Sequence, residues 1–298
     1  MFSRRLKESL RWYPFILPAI VCLIMITYIP TMVGLRYSFY DVSVMGFSER
    51  FVGFKNYASL LKNKAFFRAL ENTVILILYG YSVIPLGLIL ASFVNSFGRT
   101  RIQSVFRVGF FIPNVISTIS IVLVFKYVLL KNGGLLNSFL SLFSSTPVTI
   151  GWLTDSSINK IGATIMSVWH GLGYSMLICL AGLQSIPKEL YEAAEIDRAN
   201  ALQRWRYITL PNMVSILVFL LITNTISGFS RFGDLFVIGF NSSSGGSRAA
   251  LQTLLMYIYQ YSFDSPQYGL SSAGAMILFV IVFIVTMINM KLTRVFDH

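Results

Sequence analysis

The sequence is short of acid, short of cysteine, and carries none of the common catalytic motifs. Only 12 of its 298 residues are Asp or Glu, and charged residues of both signs make up 12%. A soluble domain carries about 25%. The two cysteines, Cys22 and Cys179, both sit in apolar runs, which excludes a disulfide framework or a thiol–metal centre. There is no Gly-x-x-x-x-Gly-Lys-Ser/Thr loop, so the chain has no cradle for ATP phosphates. The glycine-rich stretch 239–247 has no lysine. No His-Glu-x-x-His or Gly-x-Ser-x-Gly motif occurs, so catalysis by this chain alone is not expected.

What is present is hydrocarbon. Hydrophobic residues make up 55% of the chain and the mean hydropathy is +0.68. Apolar runs of about 20 residues recur, the length a spanning helix needs. They predict an all-α polytopic membrane protein with spans near 13–37, 71–95, 105–129, 161–183, 212–232 and 270–290. The formal charge of +12 reads as basic residues gathered at span ends, not as a nucleic-acid footprint. Arg4, Arg5, Lys7 and Arg11 place segment 1–12 in the cytoplasm, Arg99 and Arg101 place 96–103 there, and Lys291 and Arg294 bring the C-terminus to the same side. Residues 41–70 read as one or two interfacial helices outside, and 252–268 as an aromatic outer segment. The transmembrane domain is then 13–298, in contact with membrane lipid.

Four of the twelve acids, Glu189, Glu192, Glu195 and Asp197, are crowded into one cytoplasmic loop, 184–211. Pro187 suits a helix start, and acids just after it suit the positive end of the helix dipole. A second short helix is expected from about Asn200, with Leu202, Trp205 and Ile208 on one side, and Pro211 is expected to close the stretch. Two amphipathic helices between spans offer a soluble partner something to grip.

Two polar stripes stand out inside the spans. Pro113, Asn114, Ser117 and Ser120 recur at three- or four-residue spacing in the third. Asn224, Ser227, Gly228 and Arg231 recur at i, i+3, i+4 and i+7 in the fifth. A charge at mid-membrane costs about 2.5–3.5 kcal/mol on insertion scales, so Arg231 must face protein or a water-filled path. Helix–helix hydrogen bonding, with Gly228 as a packing residue, is the alternative to a solute pathway. His170 stands as a packing histidine or, in an ion-coupled carrier, a proton relay. Trp169 and Tyr174 fit either sugar stacking or interhelical contact.

The run Glu192-Ala193-Ala194, Asp197-Arg198-Ala199 and Ile208-x-Leu210-Pro211 resembles the EAA loop of bacterial ABC importer permeases. Further stretches resemble the sugar-permease branch, maltose-type first permease: Gly53-Phe54-x-Asn56-Tyr57, Asn72-Thr73, Arg107-x-x-Phe110-Phe111-x-Pro113, Leu183-Gln184-x-Ile186-Pro187 and Thr253-Leu254-x-x-Tyr257-Ile258-Tyr259. The resemblance covers nearly the whole chain. It implies a type I importer fold and an ATPase-coupling set of Glu192, Ala193, Ala194, Asp197, Arg198, Ile208, Leu210 and Pro211. It implies a substrate path at Gly171, Tyr174, Asn224, Ser227, Gly228 and Arg231. The implied partners are a second homologous permease, two cytoplasmic ATPase subunits that bind ATP and Mg, and an extracytoplasmic solute-binding protein. The implied cargo is a carbohydrate, an oligosaccharide. An acidic saccharide or glycerol phosphodiester, and an ion-coupled carrier, remain alternatives. Arg198 replaces the family's usual glycine, so the bend is expected to use ordinary dihedrals or the loop to be straighter than usual.

Overall fold

The computed structural model describes residues 13–42, 49–98, 100–239 and 242–294. Segment 1–12 and His298 lie outside the described residues, as do Arg99 and Phe240. Among the described residues, five helices are long and apolar enough to span a bilayer, and six if one bent pair counts as a span. The chain divides into two compact units.

The first unit comprises residues up to 63 together with 258–279. Helices α1 (Tyr13–Leu23) and α2 (Ile29–Tyr37) are joined by a π turn, Ile24–Tyr28. Pro30, at the start of α2, has no N–H to give. The wider π turn lets Ile29 N–H reach Ile24 O and carries the helix past the proline. The most apolar stretch of this rod has no buried residue, as lipid-facing side chains require. Strands β1 (Tyr40–Val42) and β2 (Glu49–Phe51) then pair antiparallel, with Tyr40 opposite Phe51. Asn56 Nδ2 donates to Ser38 O and Tyr40 O, both at 3.0 Å, fixing helix α3 (Lys55–Lys62) to the hairpin. One expected interfacial helix is therefore α3. The hairpin takes the place of the other, and Arg36 pairs with Glu49 across it at 2.5 Å.

The second unit comprises 64–257 and the residues from 280 on. Helices α4 (Lys64–Gly80) and α5 (Val83–Ser96) make one candidate span of 33 residues, begun earlier than the hydropathy alone suggests. The predicted third span is not straight. Helices α6 (Arg101–Val115) and α7 (Thr118–Val128) meet at 97°. Pro113 removes an N–H near the end of α6, and Ile116 and Ser117 take extended ψ of 141° and 131°. The bend splits the expected 113–120 stripe, so it does not form one helical face. After α8 (Leu135–Ser141) comes α9 (Asn159–Ser185), two residues longer at each end than predicted.

Helix α9 is the axis of this unit. With α5 and α12 (Leu210–Phe229) it encloses a core of Ala91, Val94, Met176, Leu180, Met213 and Leu220. A second core joins Leu76, Val122, Ala163, Met166, Leu235 and Met256. Gly173 permits a close crossing: a Cβ there would overlap the carbonyl of Phe110 on α6. Such small-residue contacts are the usual means of close helix approach in membranes.

The expected outer aromatic segment is partly interior. Leu254, Met256 and Tyr257 of α14 (Leu254–Tyr259) are buried. The reason is polar: Asn72 Nδ2 donates to Ala249 O and Gln252 O at 2.9 and 3.0 Å, and Leu254 N–H donates to Thr73 Oγ1 at 2.8 Å. The Asn72-Thr73 and Thr253-Leu254 motifs thus serve one junction. The last helix, α15 (Tyr268–Arg294), extends past the predicted 290.

Candidate functional site

Two sites matter, an elbow at one end of the second unit and a cavity within it. The elbow begins with α10 (Lys188–Ile196), Pro187 standing as its N-cap and Glu189 in its first turn. Its C-terminus closes by two backbone bonds: Arg198 N–H to Glu195 O at 3.0 Å and Ala199 N–H to Ala194 O at 2.8 Å. This is a Schellman closure, which places its bend residue in the left-handed region. Arg198 occupies it with φ of 55°. The expectation of ordinary dihedrals is therefore wrong: the bend keeps the glycine conformation with an arginine in it. The Schellman bonds hold it there against about 1–2 kcal/mol of steric cost.

The second limb starts at a capping box, in which Asn200 and Gln203 bond each other's backbone N–H. Helix α11 (Ala201–Arg204) does not stop at Pro211. It passes through a π turn, Trp205–Thr209, into α12, making a rod of 29 residues, Ala201–Phe229. Leu210 N–H reaches Trp205 O, as Ile29 does before Pro30, so the same device carries a second helix past a proline. Tyr191 OH and Thr209 Oγ1 share a hydrogen bond of 2.9 Å that ties the two limbs.

Glu192, Ala193, Asp197 and Arg198 are exposed and Ala194 is half-buried. Beside them Ile196 and Leu202 are 83% and 74% exposed. Ile208 and Leu210 instead pack against the first core. The predicted coupling set therefore divides into an outward tip and an inward anchor. An Arg198→Gly variant is expected to keep the bend and recover about 1 kcal/mol of that steric cost, whereas Arg198→Val, being β-branched, should lose further stability at a positive φ. Hydrogen exchange of the amides of 193–199 checks this.

The cavity has a volume of about 330 Å³ and lies among α4, α5, α7, α9, α12 and α13 (Gly233–Ile238). Gly171, Asn224, Ser227, Gly228 and Arg231 all line it, so five of the six predicted path residues converge. Tyr174 is 38% exposed and is not in this lining. Arg231 arrives by another route than expected. Helix α12 ends at Phe229, and a turn beyond it, not helical periodicity, delivers the guanidinium. Gly228 has a packing role too, since a Cβ there would overlap Ile77, whereas one at Gly171 would meet only Val83 Cγ2 at 3.7 Å.

Asp234, which the periodicity did not single out, is buried in the same lining. Its Oδ2 accepts from Arg231 Nε at 2.7 Å and lies 2.6 Å from Nη2 in an ion pair, and Nη2 donates to Ala163 O at 2.9 Å. The i, i+3 spacing of the two residues was the available clue. His170 also lines the cavity, and its Nε2 is buried without a hydrogen-bond partner. A buried polar atom left unpaired costs about 1–3 kcal/mol. A shift of α9 or a solute hydroxyl would relieve it.

A lipid-embedded helical bundle with a polar cavity inside it and a charged elbow joining two cavity-lining helices is a subunit of a membrane transporter. Residues 83–294 match the family of binding-protein-dependent transport system inner membrane components. The chain belongs to this family and is a multi-pass protein of the cytoplasmic membrane, a permease subunit and not itself an enzyme. It is 31% identical to the probable ABC transporter permease protein YurN of Bacillus subtilis, with 94% of both chains covered. It is 32% identical to the arabinooligosaccharides transport system permease protein AraP of the same organism, over 89% of this chain and 85% of AraP. A solved structure of a bacterial alginate ABC transporter, in complex with alginate pentasaccharide-bound periplasmic protein, contains a chain of the same fold. The TM-score is 0.79 at 22% identity, with 98% of this chain and 96% of that one covered.

Proposed function

We propose that this permease carries a carbohydrate, an oligosaccharide, into the cytoplasm, driven by ATP that separate subunits bind with Mg and hydrolyse. The observation that carries the reading is the attachment of the elbow. Its first limb follows directly from α9, which bears His170 and Gly171, and its second limb is continuous with α12, which bears Asn224, Ser227 and Gly228. A push at Leu202 travels about 35 Å along one rod to the cavity, at 1.5 Å per residue. One of two ATPase subunits would grip Glu192, Ala193, Ala194 and Ile196. A second permease would complete the path, and an extracytoplasmic binding protein would deliver the solute.

The relatives support the cargo class: AraP is named for arabinooligosaccharides, and a 30% identical protein of Thermococcus litoralis is named for trehalose and maltose transport. The acidic-solute alternative rests on Arg231 in the cavity lining, whose charge the neighbouring Asp234 balances. The test is uptake of labelled oligosaccharide into proteoliposomes holding the whole assembly. Uptake should require internal ATP and the binding protein. Uptake by this chain alone, driven by a proton or sodium gradient, would contradict the proposal.

A further inference from the structure

The cavity lining holds one arginine and one aspartate, and they are spent on each other. Arg231 Nε and Nη2 both meet Asp234 Oδ2, at 2.7 and 2.6 Å, and the two side chains are 13% and 9% exposed. Nη2 is further committed to Ala163 O. A guanidinium has five N–H donors, and the two nitrogens engaged here carry three of them. A carboxylate solute would meet a pair of zero net charge, and would have to displace Asp234 or bind beside it against its charge. Neutral hydroxyls face no such obstacle. The remaining polar lining is Thr118, Ser167, His170, Asn224 and Ser227, and of these only the His170 imidazole can take a charge.

We infer that Asp234 is the charge-selectivity residue of this permease: by neutralising Arg231 it makes the cavity a site for uncharged saccharides, and loss of its charge opens the site to uronates. The inference rests on the cavity being the solute path. Asp234 need not touch the solute; it acts through Arg231 and is a positioning residue. A purely structural ion pair would hold α12 to α13 without altering the charge of the solute preferred.

The test measures binding to the purified complex of permease and ATPase subunits, without binding protein. The probes are maltose, lactose and cellobiose, each paired with the same disaccharide oxidised at C6 to its uronate. The wild type should bind the neutral member at least about tenfold more tightly, a difference of about 1.4 kcal/mol. D234N should bring uronate binding up by about tenfold or more. D234E should retain the neutral preference, and the double variant R231Q/D234N should show no gain for the uronate. Equal or tighter uronate binding by the wild type overturns the inference, as does an unchanged ratio in an assembled D234N complex. The wild-type ratio needs no variant, so it decides the matter if D234N fails to assemble. If the wild type binds neither member of any pair, the carbohydrate reading fails and this inference with it. If it binds both members alike, the inference alone fails.

Discussion

Gly173→Leu will separate α6 from α9, and the permease will lose its thermal stability. The clash is with backbone: a Cβ at 173 overlaps the Phe110 carbonyl and crowds Phe111 Cα. No rotamer change relieves that, because neither atom belongs to a side chain. Overpacking a fitted interior costs about 1–3 kcal/mol, and a backbone clash belongs at or above the upper end. The purified complex should unfold several degrees lower, or assemble poorly. Gly171→Ala, half a turn away on the same helix, is the control. Its new Cβ would find only Val83 Cγ2 at 3.7 Å, so the melting temperature should not move. An unchanged melting temperature in Gly173→Leu would show that α6 and α9 do not cross there.

The second large effect is expected at the elbow tip. Ile196 is 83% exposed at the end of α10 and makes no part of either hydrophobic core. Ile196→Asp would place a charge where the proposed ATPase subunit closes over it. Loss of a central interface anchor costs about 2 kcal/mol or more, roughly thirtyfold in affinity. Solute-stimulated ATP hydrolysis by the assembled importer should fall by at least about tenfold. The melting temperature of the permease alone should stay within a degree, since the side chain supports nothing inside it. Normal coupling in this variant would count against the gripping role of α10.

The long apolar runs made most spans readable, because a bilayer demands a fixed length of hydrocarbon and leaves little choice of structure. What hydropathy did not show was how those runs bend. The turn at Ile116 and Ser117 lies inside the predicted third span, just beyond Pro113 and Asn114, where mean hydropathy gives no sign of a bend. Pro211 misled in the opposite sense, because a π turn just before it lets the helix continue. Arg198 shows that a closure made of two backbone bonds can hold a residue where side-chain sterics alone would not put it. The cavity was half legible. Helical spacing brought Asn224, Ser227 and Gly228 together, while Arg231 joined them through a turn that no period describes. Asp234 was given no role because it lies just outside the apolar run. Its partnership with Arg231 depends on that turn, and so does the neutrality of the cavity.

The central claim is that the elbow is the place where a cytosolic motor moves two cavity-lining helices. A single cysteine at position 196, with Cys22 and Cys179 changed to serine, tests it directly in the assembled importer. A short bifunctional reagent added to inside-out vesicles should link residue 196 to an ATPase subunit, and the yield should change when ATP is supplied. Labelling of that cysteine only from the outer face, or failure to link it to any ATPase subunit in an importer that still transports, would contradict the account.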